Sequence, residues 1–407
     1  KEQNANRKKN AEIAKADMQK FVRDSTYQDS IAKIQNPKRD SLARAADSIS
    51  KITNAGVFQH AADTTEILRL LENDLIKVTF TSKGGQIKKV ELKNFKGQDS
   101  NLVRLAGSDF DNISYSVNTG LVANSGSVLS SDLNFDKIDS STNADGSKNI
   151  SLTLTGDSTS SITHEFILKK DDYMIDFNIR AQGANRLFDR GEMNLTWQYA
   201  AAQQESDVSY EKTNTQIGYV KDGSFDYHTI GRRSSKNFDE STKWLGVRQR
   251  FFFAALVARD NFSSGKMTWD DATDSTGTVV KSTANMKVSV PAGAPSVVPF
   301  SIYYGPSDYH TLKKYDLKFE KIINLGQGIY SFVRPLNKFL IMPIFDLMKG
   351  FTGNYGIAIL LLTIIIRLLI SPLTYKSYLS GAKMKALKPE IALLKEKHGN
   401  DRQAMSM

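Results

Sequence analysis

Cysteine is absent from all 407 residues, which excludes disulfides, thiolate nucleophiles and Cys-ligated metals but leaves the compartment open. Histidine is scarce. The five, His60, His164, His228, His310 and His398, are scattered and form no HExxH or other paired-ligand spacing. Walker, GxGxxG and GxSxG patterns are missing as well, so no cofactor or metal is expected and the chain is not read as an enzyme. Internal repeats are missing too. The chain opens on Lys1 with no apolar leader and closes on Met407, and both ends are expected to be cuts in a longer protein.

Positive charge is not short, but it is unevenly placed. The formal net charge is +10. Residues 1–53 hold twelve Lys or Arg against seven Asp or Glu, and residues 375–407 hold seven against three, so the 321 residues between them are about +1. A middle so nearly neutral argues against a nucleic-acid-binding face on the β domain and puts the basicity beside membrane-proximal segments.

What is present includes one stretch of membrane length. Asn354 to Leu373 reads NYGIAILLLTIIIRLLISPL, apolar all round where a soluble helix keeps one wet face. Eleven Leu and Ile lie between Ile357 and Ile370; they favour insertion by about 3–7 kcal/mol together, against about 2.5–3.5 for one central Arg. Insertion therefore survives Arg367. Nineteen residues, Tyr355 to Leu373, span roughly 28 Å as a helix, close to the bilayer core of about 30 Å. Arg367 either snorkels to the headgroups or faces a water-containing cavity with a polar partner. Thr363, four residues earlier, shares its helical face. Ser371 and Pro372 are expected to end the run.

Residues 1–71 are poor in large apolar side chains and read as a flexible polar linker. From Glu72 the period becomes two. Ile76, Val78 and Phe80 alternate with polar neighbours, Gly84–Gly85 turns, and Val90 and Leu92 return. The same signature recurs at Ile150–Leu154, Tyr173–Ile179, Met193–Tyr199, Met286–Val290 and Val298–Tyr304, with a continuous apolar strand at Phe251–Ala258. The economical fold is mainly β, one large antiparallel β-sandwich with strand signals over 72–305 inside a domain of 72–320.

A region of 321–353 follows, in which Pro343, Phe345, Met348 and Phe351 belong to an amphipathic helix lying at the membrane interface; a buried helix of the sandwich is the competing reading. Then come the transmembrane helix, 354–374, and a basic helical hairpin, 375–407, in which Lys376, Lys383, Lys385, Lys388, Lys395 and Lys397 crowd one side. By the positive-inside rule that side is cytoplasmic and the β domain is outside. Met384, Leu387, Ile391 and Leu394 give the hairpin an apolar packing stripe, and Pro389 bends or restarts it.

Other constellations read as structural. His164 shares a strand face with Ile162, Phe166 and Leu168, as a satisfied core histidine does. Ser141–Gly146 is like a calcium loop, but Leu152 stands where the bidentate Glu belongs, so a hairpin turn is the reading. Asp270, Asp271 and Asp274 read as a solvated loop. A membrane-tethered carbohydrate-binding or sugar-active sandwich, with His and Glu as acid and base, is the alternative function, although the sequence does not pair those residues.

The run Asn354-Tyr355-Gly356, Ile357–Ile366, Arg367, Pro372-Leu373-Thr374 and then Ala382–Ile391 closely resembles the second transmembrane helix and cytoplasmic hairpin of the Oxa/YidC/Alb family of membrane-protein insertases, Gram-negative type. Leu75–Lys93, Trp244–Val257 and Tyr304–Tyr309 resemble parts of that family's periplasmic domain. Tyr355 stands where the family usually has Trp, and Ser371 where relatives are often aromatic.

The resemblance implies a periplasmic β super-sandwich and an amphipathic helix on the periplasmic leaflet. It also implies a hydrophilic groove in which Arg367 and Thr363 receive polar parts of a client. The implied activity is insertion and folding of inner-membrane proteins, without nucleotide hydrolysis, alone or with the Sec translocon. Lys383, Lys385 and Lys388 would lie near the ribosome or the emerging client. It also implies that the first transmembrane helix, and everything after the start of the hairpin, lie outside this sequence.

Overall fold

The computed structural model describes residues 55–62, 65–97, 99–120, 126–271, 277–326 and 328–398. Most of the expected linker, 1–54, lies outside them. Two compact units result, the first ending at Ile322 and the second beginning at Ile323.

The first unit is antiparallel β throughout. Strands β1 (Leu68–Glu72), β2 (Ile76–Thr81), β3 (Gln86–Lys96) and β4 (Leu102–Ala106) form a four-stranded meander. Next along the chain come β5 (Asn112–Asn118), β6 (Ser127–Leu129), β7 (Lys137–Thr142), β8 (Lys148–Thr155), β9 (Ser161–Leu168), β10 (Met174–Gln182) and β11 (Glu192–Ala202). They are followed by β12 (Gln216–Lys221), β13 (Ser224–Thr229), β14 (Ser235–Phe238), β15 (Thr242–Arg248), β16 (Phe252–Phe262), β17 (Ser264–Asp271), β18 (Thr278–Ser289) and β19 (Ser296–Pro306). Nine of them pair in the order β13-β12-β15-β16-β19-β10-β9-β8-β7, and six in the order β14-β17-β18-β11-β5-β6.

Ring contacts join the inner faces of these sheets. Tyr115 on β5 meets His164 on β9, and Tyr199 on β11 lies 6.2 Å from Tyr304 on β19. Phe80 of the four-stranded sheet lies 4.9 Å from Phe166, which stacks on Phe177 at 4.5 Å. The alternating strands thus bury one face each, as half-buried strands do.

Strand β16 is different. Phe252 to Ala258 are all buried, because a strap over 308–322 covers the second face of the sheet there. A short helix, α1 (Tyr309–Lys313), opens the strap, with the Asp308 side chain capping the Thr311 N–H. Trp244 Nε1 then donates to the Leu317 carbonyl at 2.7 Å, and the Tyr315 hydroxyl donates to Asp172 at 2.5 Å. Phe319 packs against Trp244 (4.8 Å) and Phe253 (5.2 Å). Gly218 lets the strap lie close, since a Cβ there would stand 2.6 Å from Ile322 Cδ1 and push the end of that side chain aside.

Several expectations shift. Ordered structure begins before Glu72, with a 3-10 turn at Gly56–Ala61 whose Phe58 and Ala61 are buried, and with β1 itself. In β1 only Leu71 is buried while Leu68 and Leu70 are exposed, so the segment carries no period-two signal. Asp270 and Asp271 end strand β17 rather than float in a loop, because their neighbours pair with β18; Asp274 lies outside the described residues. The Asn143–Gly146 stretch is a hairpin turn, with Gly146 at φ 79° and its N–H donating to the Asn143 carbonyl at 2.9 Å.

The second unit is helical. A π-turn at Asn337–Ile341 leads into α2 (Met342–Thr352); widening the turn there displaces the carbonyl that would otherwise clash with the Pro343 ring. None of the α2 residues is buried. Gly353, left-handed at φ 63°, closes α2. A single 44-residue helix, α3 (Tyr355–His398), follows. Pro372, expected to close the apolar run, and Pro389, expected to bend or restart the helix, both lie inside α3, so no restart occurs at Pro389.

Candidate membrane-embedded site

The start of α3 is fixed by Asn354, whose Oδ1 accepts from the Gly356 N–H at 2.9 Å and the Ile357 N–H at 3.3 Å. Asn is a preferred cap residue because its short side chain reaches these free donors. Its role was legible as an Asn standing just before an apolar run, and the sequence reading passed it over. Beyond the cap, the apolar side chains point outward: Leu360 and Leu368 are 60% and 66% exposed, and only 6% of the most apolar window is buried. Exposed leucines at this density are stable only in an apolar solvent. Among the described residues α3 is the one helix long and apolar enough to cross a membrane.

Pro372 has no N–H to give the Leu368 carbonyl, a loss that is costly where no water can replace the bond. The Ser371 hydroxyl supplies it, donating to the Leu368 carbonyl at 2.9 Å. The freed carbonyl thus has a side-chain donor in place of a backbone one, a detail that the sequence alone does not reveal.

Arg367 and Thr363 stand one turn apart and are both exposed. The Thr363 hydroxyl donates to the Ile359 carbonyl (2.8 Å), and the Thr374 hydroxyl donates to Ile370 (3.1 Å). With their protons spent on the backbone, these hydroxyls turn only lone pairs outward. Arg367 is the opposite, a group with donors alone. The nearest acid on its own helix is Glu390, and among the described residues Arg367 forms no ion pair.

On α2, Pro343 sits in the first turn, Phe345 and Met348 are half-buried, and Phe351 is 86% exposed. Phe345 contacts the Tyr355 ring at 6.4 Å, and the Lys349 ammonium lies 4.8 Å over the same ring. The exposed set extends upstream through Tyr330, Phe332, Leu336 and Phe339, which the sequence reading did not include. Lys383, Lys385 and Lys388 are exposed along the distal half of α3.

His164 offers nothing catalytic. Its Nδ1 lies 2.7 Å from the Gly85 carbonyl, which can only accept, so Nδ1 carries the proton and Nε2 accepts from the Tyr115 hydroxyl at 2.6 Å. Both ring nitrogens are spent, and burial lowers its pKa to about 4. Among the described residues no three His, Asp or Glu cluster as a metal site would require.

The model of the YidC periplasmic domain matches residues 70–341, and that of the 60Kd inner membrane protein matches residues 347–407. The chain belongs to the YidC family. The membrane protein insertase YidC of Phocaeicola vulgatus is 29% identical over 403 residues, covering 95% of this chain and 63% of that protein. The membrane protein insertase YidC of Parabacteroides distasonis is likewise 29% identical, covering 93% of this chain and 63% of its own length. This YidC-family chain thus spans less than two thirds of those relatives. A crystal structure of an active YidC insertase with its first transmembrane domain resolved aligns at 14% identity and a TM-score of 0.34, over 90% of this chain and 69% of that one, too distant to carry a structural argument.

Proposed function

We propose that the chain is part of an insertase and chaperone that assists integral membrane proteins into the inner membrane and folds them there, alone or with the Sec translocon, and that α3 supplies one wall of the client site. The observation that carries this reading is Arg367, an exposed cation with no acidic neighbour inside an apolar helix. A charge in that position marks a polar pathway, because the bilayer alone would disfavour it. The guanidinium receives acidic or polar parts of a client, with Thr363 beside it, while water held around the cation shortens the apolar distance that a charged tail must cross. Nucleotide hydrolysis plays no part.

Pro343, Phe345, Met348 and Phe351 place α2 in the lipid interface, and Lys383, Lys385 and Lys388 lie near the ribosome or the emerging client. The lysine-rich end faces the cytoplasm and the β domain faces the periplasm.

In reconstituted full-length protein, Arg367→Ala is expected to reduce insertion of a client bearing an acidic residue in a short translocated tail roughly tenfold, the ratio that loss of about 1.4 kcal/mol produces. Arg367→Lys, which keeps the charge, is milder. Wild-type insertion rates for the Ala variant would make Arg367 a snorkelling residue, and photocrosslinkers at Thr363 that captured lipid only would reduce α3 to an anchor.

A further inference from the structure

Phe58 is fully buried although it belongs to the stretch that reads as linker in sequence. It lies in the turn Gly56–Ala61, and Ala55 and Ala61, three residues to either side, are buried with it. The segment closes a seam between the two large sheets, where β6 is the last strand of the six-stranded sheet and β7 the last of the nine-stranded one. On one side of the seam the Val57 N–H donates to the carbonyl of Thr119, between β5 and β6, at 3.3 Å. On the other, the N–H of Asn134, just before β7, donates to the Ala61 carbonyl at 2.7 Å. The Phe58 ring lies on the backbone after β8, where a Cβ at Gly156 would stand 2.9 Å from its Cε1.

The hold is generic and weak. Among the described residues no side chain of 55–62 makes a hydrogen bond or an ion pair, so recognition runs through backbone groups and one aromatic pocket, which many sequences can satisfy. One ring and two alanines are little apolar surface to set against the ordering of eight residues. Docking therefore depends on covalent attachment, which keeps the segment's local concentration high. One position is selective: Gly56 is left-handed at φ 51°, and a Cβ there would stand 2.3 Å from the Thr119 oxygen.

We propose that this seam is a binding site for an unfolded client segment with an aromatic residue among small ones and glycine two positions before it. Residues 55–62 occupy the site at rest and exchange with the client. The proposal rests on the insertase and chaperone reading above and gives the first unit a part in it.

The test uses full-length protein in membrane vesicles and a fluorescein-labelled peptide with the sequence of residues 55–62. Gly56→Ala forces the resident segment out and leaves the pocket untouched, while Phe58→Ala empties the pocket. The peptide is expected to bind each variant roughly tenfold more tightly than wild type, whose own segment competes. A peptide with alanine in place of the phenylalanine should bind none of them. With a photocrosslinkable residue at the exposed Thr155, beside Gly156, adducts to a client bearing a Gly-x-Phe segment in its translocated tail should rise several-fold in both variants and fall when unlabelled peptide is added. Equal peptide affinity for wild type and Gly56→Ala, at unchanged tryptophan emission, overturns the site. Peptide binding without client adducts overturns the exchange and leaves a docked linker alone. Should Phe58→Ala fail to fold, Gly56→Ala decides the matter. Insertion rates measured alongside separate the two levels: normal insertion with no adducts at Thr155 sinks the seam and leaves the insertase reading standing. Failure of the wild type to insert any client sinks that reading, and peptide binding still decides whether the site exists.

Discussion

His164 ties three sheets together with one neutral ring. It sits on β9, accepts from Tyr115 on β5, and donates to Gly85 in the β2–β3 turn. Burial is what keeps it neutral, and it holds the pKa near 4 against the ordinary 6.5. Above pH 6.5 neither folded nor unfolded chain protonates it, so its contribution to stability is complete. As pH falls from 6.5 towards 4 the unfolded chain takes up a proton that the folded chain refuses, and stability drops by up to about 3 kcal/mol across that window. Urea midpoints measured from pH 7.5 to 4.5 should therefore fall more steeply for the wild type than for His164→Gln. Parallel slopes would mean that the ring can be protonated in place.

At the scale of elements, the strap over 308–322 is what makes β16 a fully buried strand. Phe319 is its anchor, meeting Trp244, Phe253, Tyr303 and Tyr315 at once. Phe319→Ala should cost about 3–5 kcal/mol, as truncation of a buried aromatic does. Tryptophan fluorescence in urea would register it cleanly, because Trp197, Trp244 and Trp269 are all buried within the β unit.

The strap was poorly legible in sequence for a physical reason. A strand such as Met193–Tyr199 shows its buried face in its own alternation, whereas Phe319 and Ile322 are defined by Trp244 and Gly218, far away along the chain. The apolar run at Phe251–Ala258 did announce that something covers both faces, without saying what. The same contrast holds at the candidate site: a charge in an apolar run is visible without coordinates, so Arg367 stands out as a candidate from the sequence. Ser371 does not, because its part depends on a carbonyl that only the helical geometry places within reach.

For the whole molecule the open quantity is orientation, and charge is the argument for it. Residues 375–407 carry seven Lys or Arg against three Asp or Glu, directly after the only described helix fit to span. Retaining that cluster on the cytoplasmic side is favoured over carrying it across, and one crossing by α3 then leaves the β unit on the opposite side. The absence of cysteine makes this cleanly measurable, since any introduced thiol is the only one in this sequence. Ser140 on the edge strand β7 and Ser380 on α3 are both exposed. A membrane-impermeant maleimide added to spheroplasts should label Ser140→Cys and spare Ser380→Cys, and inside-out vesicles should reverse the pattern. Labelling of both from the same side would mean that α3 does not cross the bilayer, and Arg367 would then lose the apolar surroundings on which its proposed role depends.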